Sequence, residues 1–427
     1  MVKLKKKDFI RTIKSNMGFL TRTQSTILSA AAILSITTGI NAVLGVIKGR
    51  TLSTYFGTST ELTIFFTADK IPNLIYSILV VGALSTVFIP VYTEAIKKDE
   101  SGANKTASLI INWGILLFLV LGGLAFIFAK PIVQLLSIDQ FNTEEIALGA
   151  KMLRIMLGAQ IVLLISSFFT SLLHSHNYFL LPSLAPILYN LGMIGGTIAL
   201  ANNYGILGPT YGVAAGALAH LLVQVPILRK LDYRYKPIFK LQDKYIKKMG
   251  ELMPPRIGSV LIANLLGTIN NSLAILISIP SAIYLKFANQ LQFFPVNLFA
   301  ISIASAALPT LSRKAATSNH NKFKKIFITS LHQMLFLVIP CSVILLILRV
   351  PVIRLAFGAK KFPWEATVKT SYTLAFYSIS IFAQSTVYLL TRSYYALKDT
   401  KTPVKVALIT AIINIGLSLF FIRVLGW

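Results

Sequence analysis

Apolar residues in this chain come in blocks of about twenty or more, separated by short polar stretches and by clusters of charge, proline or glycine. A helix of that length spans a hydrocarbon core of ~30 Å at 1.5 Å per residue, whereas the amphipathic helices of a soluble core carry polar residues along one face. The blocks predict helices near residues 25–54, 62–92, 105–129, 146–173, 181–202 and 206–228, then 252–276, 283–311, 323–348, 366–397 and 402–424. Eleven such helices make an all-α polytopic membrane protein.

The intervening segments set its orientation. Residues 93–104, 229–251 and 312–325 fall on the side of the N-terminus and hold two, eight and five Lys plus Arg, respectively. The 129–145 segment opposite holds Lys130 against Asp139, Glu144 and Glu145, while 349–365 runs against the trend with Arg349, Arg354, Lys360 and Lys361. The positive-inside rule then places the N-terminus in the cytoplasm, with residues 1–24 as a basic arm suited to anionic lipid.

Composition narrows the function. Only 13% of residues are charged, too few to coat a soluble surface of this size, where roughly 25% is usual. The net charge of +27 would fit a nucleic-acid binder, but the basic residues sit in loops between apolar blocks, so no nucleic-acid partner is expected. A lone cysteine, Cys341, excludes an intrachain disulfide and reads as packing. His/Cys metal spacing, a Walker loop and a G-x-S-x-G elbow are missing from the sequence, so neither a metal nor another cofactor is expected, and the chain reads as a transporter rather than an enzyme.

An internal repeat organises the blocks. Pro90 and Pro309, Pro131 and Pro351, and Pro182 and Pro403 are separated by 219, 220 and 221 residues, and FIPVYTEA, KPIVQLL and FFTADK align with ALPTLSRK, VPVIRLA and LKFANQ. Two six-helix bundles follow, 25–228 and 252–427, joined by a basic linker at 229–251. The second is one helix short, which reads as a fragment of a longer protein. Parallel repeats imply a cavity between the halves.

Ionisable residues inside a bilayer cost several kcal/mol and so are functional candidates. Lys48 and Arg50 lie on the second half of the first helix among Gly39, Gly45 and Gly49, where bending is cheap; they read as a cationic wall for an anionic head group or as side chains snorkelling to the interface. Asp69 and Lys70 precede Pro72, a kink site, and Asn73, and they read equally as function or as local neutralisation. The matching place in the second half holds Ala288, Asn289 and Gln290. Arg256 reads as an interfacial anchor or a cavity cation, Lys286 as a snorkelling side chain, and Asn264, Asn270 and Asn271 as interhelical hydrogen-bonders. Lys398, Asp399, Lys401 and Thr402-Pro403 form a structural turn with Thr402 as the expected N-cap. The candidate binding set is thus Lys48, Arg50, Asp69, Lys70, Asn73, Arg256, Asn289 and Gln290, with Gly45, Gly49 and Pro72 as hinges.

The segments VLGVIKGRTLSTYFG, FFTADKIPNLIYSILVVGALSTVFIPVYTEA, SHNYFLLPSLAPILYNL and ALKDTKTPVKVALI resemble the MurJ (MviN) family of lipid II flippases, in order and at family spacing from about Ser35 onward. The resemblance implies the fold of the multidrug/oligosaccharidyl-lipid/polysaccharide exporters (MATE-like), a bacterial inner-membrane location, and movement of an undecaprenyl-pyrophosphate-linked peptidoglycan precursor to the outer leaflet by alternating access. It implies a lipid-linked anionic substrate, contact with membrane lipid and, as partners, cell-wall synthesis proteins. Family cavity arginines fall here on Ala42, Lys48, Tyr76 and Gln290, of which only Lys48 is cationic, and family acids fall on Thr63 and Val81. Arg50 and Arg256 are the expected replacements. A flippase for another polyprenyl-linked glycan, a drug or ion-coupled exporter, and a non-transporting scaffold docking through 229–251 are the alternatives.

Overall fold

The computed structural model describes residues 27–80, 88, 92–93, 96, 100–228, 231, 233, 235–240, 254–316 and 320–425. The basic arm, Val81 and most of the 229–251 linker lie outside the described residues. The chain runs through α1 (Ile27–Phe56), α2 (Thr60–Ala68), α3 (Lys70–Leu79), α4 (Glu100–Ile127), α5 (Ala129–Ser137), α6 (Thr143–Ser175), α7 (Leu180–Tyr204), α8 (Leu207–Leu222) and α9 (Val225–Leu228). It continues through α10 (Pro254–Ile277), α11 (Ser281–Pro295), a π-helical turn (Val296–Ile301), α12 (Ser302–Ala316), α13 (His320–Ile347), α14 (Arg349–Phe357), α15 (Trp364–Ala396) and α16 (Lys401–Leu425).

Among the described residues, nine helices are long and apolar enough to cross a membrane, and they fall on nine of the eleven expected spans. The first expected span forms α1. The second divides at Asp69 into α2 and α3, and its continuation lies outside the described residues. Pro72 explains the division, because it has no N–H to give the Ala68 carbonyl, and the ladder resumes with Asn73 N–H to Asp69 O at 3.0 Å. Two nine-residue helices, α5 and α14, occupy segments that read as loops.

The repeat is visible in the element lengths. Helices α4 and α13 each have 28 residues, α5 and α14 nine, α6 and α15 33, and α7 and α16 25, at a constant offset of 220 or 221. Even the breaks match: Phe128 (φ −88°, ψ 22°) and Leu348 (φ −91°, ψ 17°) each end a long helix before a short one.

Polarity is distributed as a bilayer demands. Large apolar side chains such as Phe336, Leu355, Ile127 and Phe376 are exposed, while buried Thr67, Thr197, Thr210, Thr370, Ser378 and Ser393 turn their hydroxyls back to the carbonyl four residues earlier. Helices α7 and α8 pack backbone against backbone through Gly192, Gly196, Gly208, Gly212 and Gly216. A Cβ on Gly196 would lie 2.4 Å from Gly212 Cα, and one on Gly192 would lie 2.4 Å from Gly216 Cα.

Part of the linker is a strap on α4. Asn112 donates to the carbonyls of Lys236 and Ile238 at 3.1 and 3.0 Å and accepts from the Tyr235 hydroxyl at 2.6 Å, while Ser108 Oγ accepts from the Lys236 N–H at 3.1 Å.

The turn before α16 is capped differently from expectation. Asp399, not Thr402, supplies the cap: its carboxylate accepts from the N–H groups of Lys401 and Thr402, both at 3.0 Å, and from the Thr402 hydroxyl at 2.6 Å. Thr402 lies inside the helix and spends its hydroxyl on that carboxylate.

Two outcomes follow. Gly196→Val should force α7 from α8 and lower stability by about 1–3 kcal/mol, the usual cost of overpacking. Gly195→Val, with nothing within 4 Å of its Cβ, should be tolerated far better; thermal unfolding in detergent reads both. The hydrogen bonds from Thr402 hold the Asp399 carboxyl below the usual carboxylate range. Its contribution is therefore present above the unfolded pKa of ~3.9 and is lost as pH falls through the lower folded value. Asp399→Ala should lower the thermal midpoint at pH 7, and the gap from the unsubstituted protein should close in acid below that unfolded value.

Candidate functional site

Between the repeats lies a cavity of about 400 Å³. Helix α1 supplies Asn41, Gly45, Lys48, Gly49 and Leu52, and α11 with its π turn supplies Lys286, Asn289, Gln290, Phe293 and Asn297. Both sets follow helical spacing, so each is one stripe of its helix. Asp69 and Asn73 enter from the α2–α3 break, and Asn190 enters from α7.

The wall is amide-rich with three charged groups. Lys48, Lys286 and Asp69 are near enough to act on one another electrostatically, leaving the cavity with one net positive charge. Asn73 donates to Asp69 Oδ2 at 3.3 Å, and the Lys286 ammonium lies 5.8 Å from the Phe66 ring centroid. Asn190 donates to Asn41 Oδ1 at 2.7 Å, while its own carbonyl oxygen is buried without a protein partner. Such an orphaned acceptor fits a hydroxyl or water as donor.

One end of the cavity is sealed. Ser53 Oγ donates to the Phe357 carbonyl at 2.7 Å, Lys361 Nζ to the Tyr55 carbonyl at 2.8 Å, Thr63 Oγ1 to the Ile279 carbonyl at 3.0 Å, and Arg50 to the Leu355 carbonyl. Phe287 stacks on Phe357 with centroids 4.2 Å apart and meets Phe66 edge-on. Gly57, at φ +60°, abuts the chain at Lys361, where a Cβ would lie 1.7 Å from the carbonyl oxygen. All of these contacts join the first repeat to the second.

The sequence-derived set is therefore split. Lys48, Asp69, Asn73, Asn289 and Gln290 share the cavity. Arg50 does not line it. Two residues from Lys48 at 100° each, it points to the opposite side of α1 and closes the sealed end. Lys70 also stands apart, donating to the Gly267 carbonyl at 3.4 Å in a neighbouring recess. Arg256 opens α10, and its side chain lies outside the described residues. Helix α1 is unbroken through Gly45 and Gly49, whose missing side chains admit Gln290 and Phe357: a Cβ on Gly49 would lie 2.7 Å from Phe357 Cε1 and one on Gly45 3.6 Å from Gln290 Nε2. Pro72 sits buried at the α2–α3 break.

The sequence reading missed Lys286, which was expected to snorkel, and also Asn41, Asn190 and Asn297. The signal was present, because Lys286 and Gln290 are four apart and share a helix face. Of the other family positions, Ala42 lines the cavity, Tyr76 hydrogen-bonds Ser167 at 2.7 Å outside it, and Thr63 serves the seal.

A family model described as "Lipid II flippase MurJ" matches residues 52–427. The probable lipid II flippase MurJ of Buchnera aphidicola subsp. Baizongia pistaciae is 28% identical over 410 residues, 93% of this chain and 78% of its own. The lipid II flippase MurJ of Thermosipho africanus is 28% identical over 395 residues, 92% of this chain and 80% of its own. A solved structure, "Lipid II flippase MurJ, inward closed conformation", superposes with a TM-score of 0.79 at 28% identity, covering 92% of this chain and 81% of its own. An inward-facing MATE family transporter of the MOP superfamily gives 0.73 at 14% identity, over 91% of this chain and 89% of its own, a likeness of fold alone.

The seal makes a prediction. Gly57→Ala should keep the repeats from closing, so that Ala42→Cys, in a Cys341→Ser background, reacts several-fold faster with a membrane-impermeant thiol reagent applied to the Gly57 face. Gly205→Ala carries similar strain at φ +55° with nothing within 4 Å of its Cβ, and it should leave that rate unchanged.

Proposed function

Because the chain belongs to the lipid II flippase MurJ family, we propose that it carries an undecaprenyl-pyrophosphate-linked peptidoglycan precursor from the inner to the outer leaflet of the bacterial inner membrane. One observation supports this above the others: Lys48 and Lys286 come from different repeats and meet in an amide-lined cavity that, among the described residues, holds a single acid. A pyrophosphate cannot enter hydrocarbon without groups that replace its water. Here the two ammoniums take the phosphate oxygens, each a charge-assisted contact, while Asn41, Asn190, Asn289 and Gln290 face sugar hydroxyls. The orphaned Asn190 carbonyl receives one hydroxyl proton.

The two repeats, 25–228 and 252–427, act as lobes, and the sealed end faces away from the cytoplasm and the N-terminus. Substrate then enters from the side of the basic loops. Release follows when the contacts of Arg50, Ser53 and Lys361 part and the repeats close on the other side. Pro72 and the Asp69 break give the second span a place to flex. Any net charge carried with the substrate is biased by the membrane potential, worth ~2.3 kcal/mol per charge per 100 mV.

The drug-exporter alternative needs a titratable acid deep in one lobe, and among the described residues Asp69 is the sole acid lining this cavity. The scaffold alternative, with cell-wall synthesis proteins docked on 229–251, has Tyr235 and Phe239 exposed on the strap in its favour. The transport reading accounts for the cavity, and the scaffold reading does not.

Complementation of a cell depleted of its own lipid II flippase tests the proposal. Lys48→Ala and Lys286→Ala should each lower flipping by about 10- to 100-fold, from the ~1.5–3 kcal/mol of a hydrogen bond to a charged group. Lys48→Arg and Lys286→Arg should restore most of it. Rescue by both alanine variants as good as that by the unsubstituted protein would remove the cationic grip.

A further inference from the structure

Beside the central cavity lies a second recess of about 170 Å³, at the meeting of α3, α10, α11 and α15. Its polar lining is Lys70, Asn270, Asn271, Lys286, Asn289 and Tyr377; the remainder is Gly267, Ala282 and Leu285. Among the described residues, its lining has two ammonium groups and no carboxylate. Lys286 and Asn289 line both spaces, so the recess opens off the wall that faces the pyrophosphate in the reading above.

The charge balance is what requires explanation. Lys70 offers one proton to the Gly267 carbonyl at a long 3.4 Å, and Asn271 is committed to Thr67 Oγ1 at 3.3 Å. Asp69, the nearest acid, lies on the central cavity with one oxygen taken by Asn73. Two cations in a small recess within the membrane repel each other and carry a desolvation penalty; Asp69 attracts Lys70 and Lys48 from the central cavity, but one carboxylate does not balance these and Lys286 together. Two ammoniums from different repeats converge there, Lys70 and Lys286, beside the Asn270 amide and the Tyr377 hydroxyl, which is hydrogen-bonded to Asn289. At less than half the volume of the central cavity, the recess has room for a small group beside the cargo site.

We propose that this recess is a second anion subsite, separate from the central cavity, that takes one carboxylate-sized monovalent anionic group. The group is either a carboxylate on the head group of the lipid-linked substrate or a free anion from solution. It bridges Lys70 of the first repeat to Lys286 of the second, and so ties the repeats together behind the main cargo site.

Equilibrium binding of radiolabelled chloride to the purified full chain in detergent tests this, with 2-(N-morpholino)ethanesulfonate, which has no carboxylate and is far bulkier than chloride, holding ionic strength constant. Saturable binding is expected, with a rise in thermal midpoint that the sulfonate does not give. Lys70→Met should weaken chloride at least tenfold, Lys70→Arg should retain it, and Lys48→Met, at a residue that lines the central cavity and not the recess, should leave it within about twofold. Failure of Lys70→Arg together with Lys70→Met, at thermal midpoints in the sulfonate equal to that of the unsubstituted protein, would overturn the proposal. So would binding by Lys70→Met as tight as that of the unsubstituted chain, or loss of binding in Lys48→Met alone. Competition between chloride and a lipid-linked precursor with free carboxylates, absent when they are amidated, assigns the site to the substrate; no competition assigns it to the free ion. The inference rests on the transport reading only for the substrate source. Chloride binding needs no lipid, so its failure leaves that reading intact, and failed complementation would leave the chloride result standing.

Discussion

Hydrocarbon hydrates nothing, and the arrangement of this molecule follows from that. Every backbone polar group must find a partner inside the fold, and every charge must face another charge, a donor or water. The serine and threonine hydroxyls of the interior therefore return to their own helices, and Phe336 or Leu355 can stand exposed without penalty. The groups that escape this rule are the informative ones. Lys48, Asp69 and Lys286 have no such local satisfaction as a set, and all three sit where the repeats leave a space.

That space exists because the repeats touch closely at one end. Close contact there is made by small residues and flat rings: Gly49 receives Phe357, Gly57 receives the chain at Lys361, and Phe287 stacks on Phe357. Most of the polar contacts across the seal end on backbone carbonyls, which can be released without stranding a second charge. Arg50 and Lys361 then face water on opening, at a modest cost. A seal built from buried ion pairs would be far harder to open, because each broken pair leaves an unpaired charge.

Much of this was legible in the residues. Length and apolarity gave the spans, and proline spacing gave the repeat that reappears as equal helix lengths of 28, nine, 33 and 25 residues. Helices α5 and α14 were hidden because nine residues with a proline near the start resemble a loop to any span-length criterion. The α7–α8 contact was written as glycines at intervals of four, 192 and 196 against 208, 212 and 216, a pattern that hydropathy does not weigh. Lys48 and Arg50 could not be separated by burial or charge, only by the angle between them. Lys286 was discounted because a long side chain near a helix end can usually reach water. Its true environment depends on which helix stands opposite, and that is a property of the assembled pair of repeats.

Lys286 also changes how the departures from the family pattern weigh. At the place of Gln290 the resemblance led us to expect a cavity cation, and one helical turn earlier Lys286 supplies it on the same face. The charge has moved by about 6 Å along α11 without leaving the cavity. It now lies at the junction with the recess, so one ammonium borders both spaces. Lys48 and Lys286 belong to different repeats and repel each other across an empty cavity. An anion between them converts that repulsion into attraction toward a common centre. The same charge that makes the cargo impossible to pass through lipid thus favours the approach of the two halves that enclose it, and a neutral cargo of equal size would give them no such reason to close.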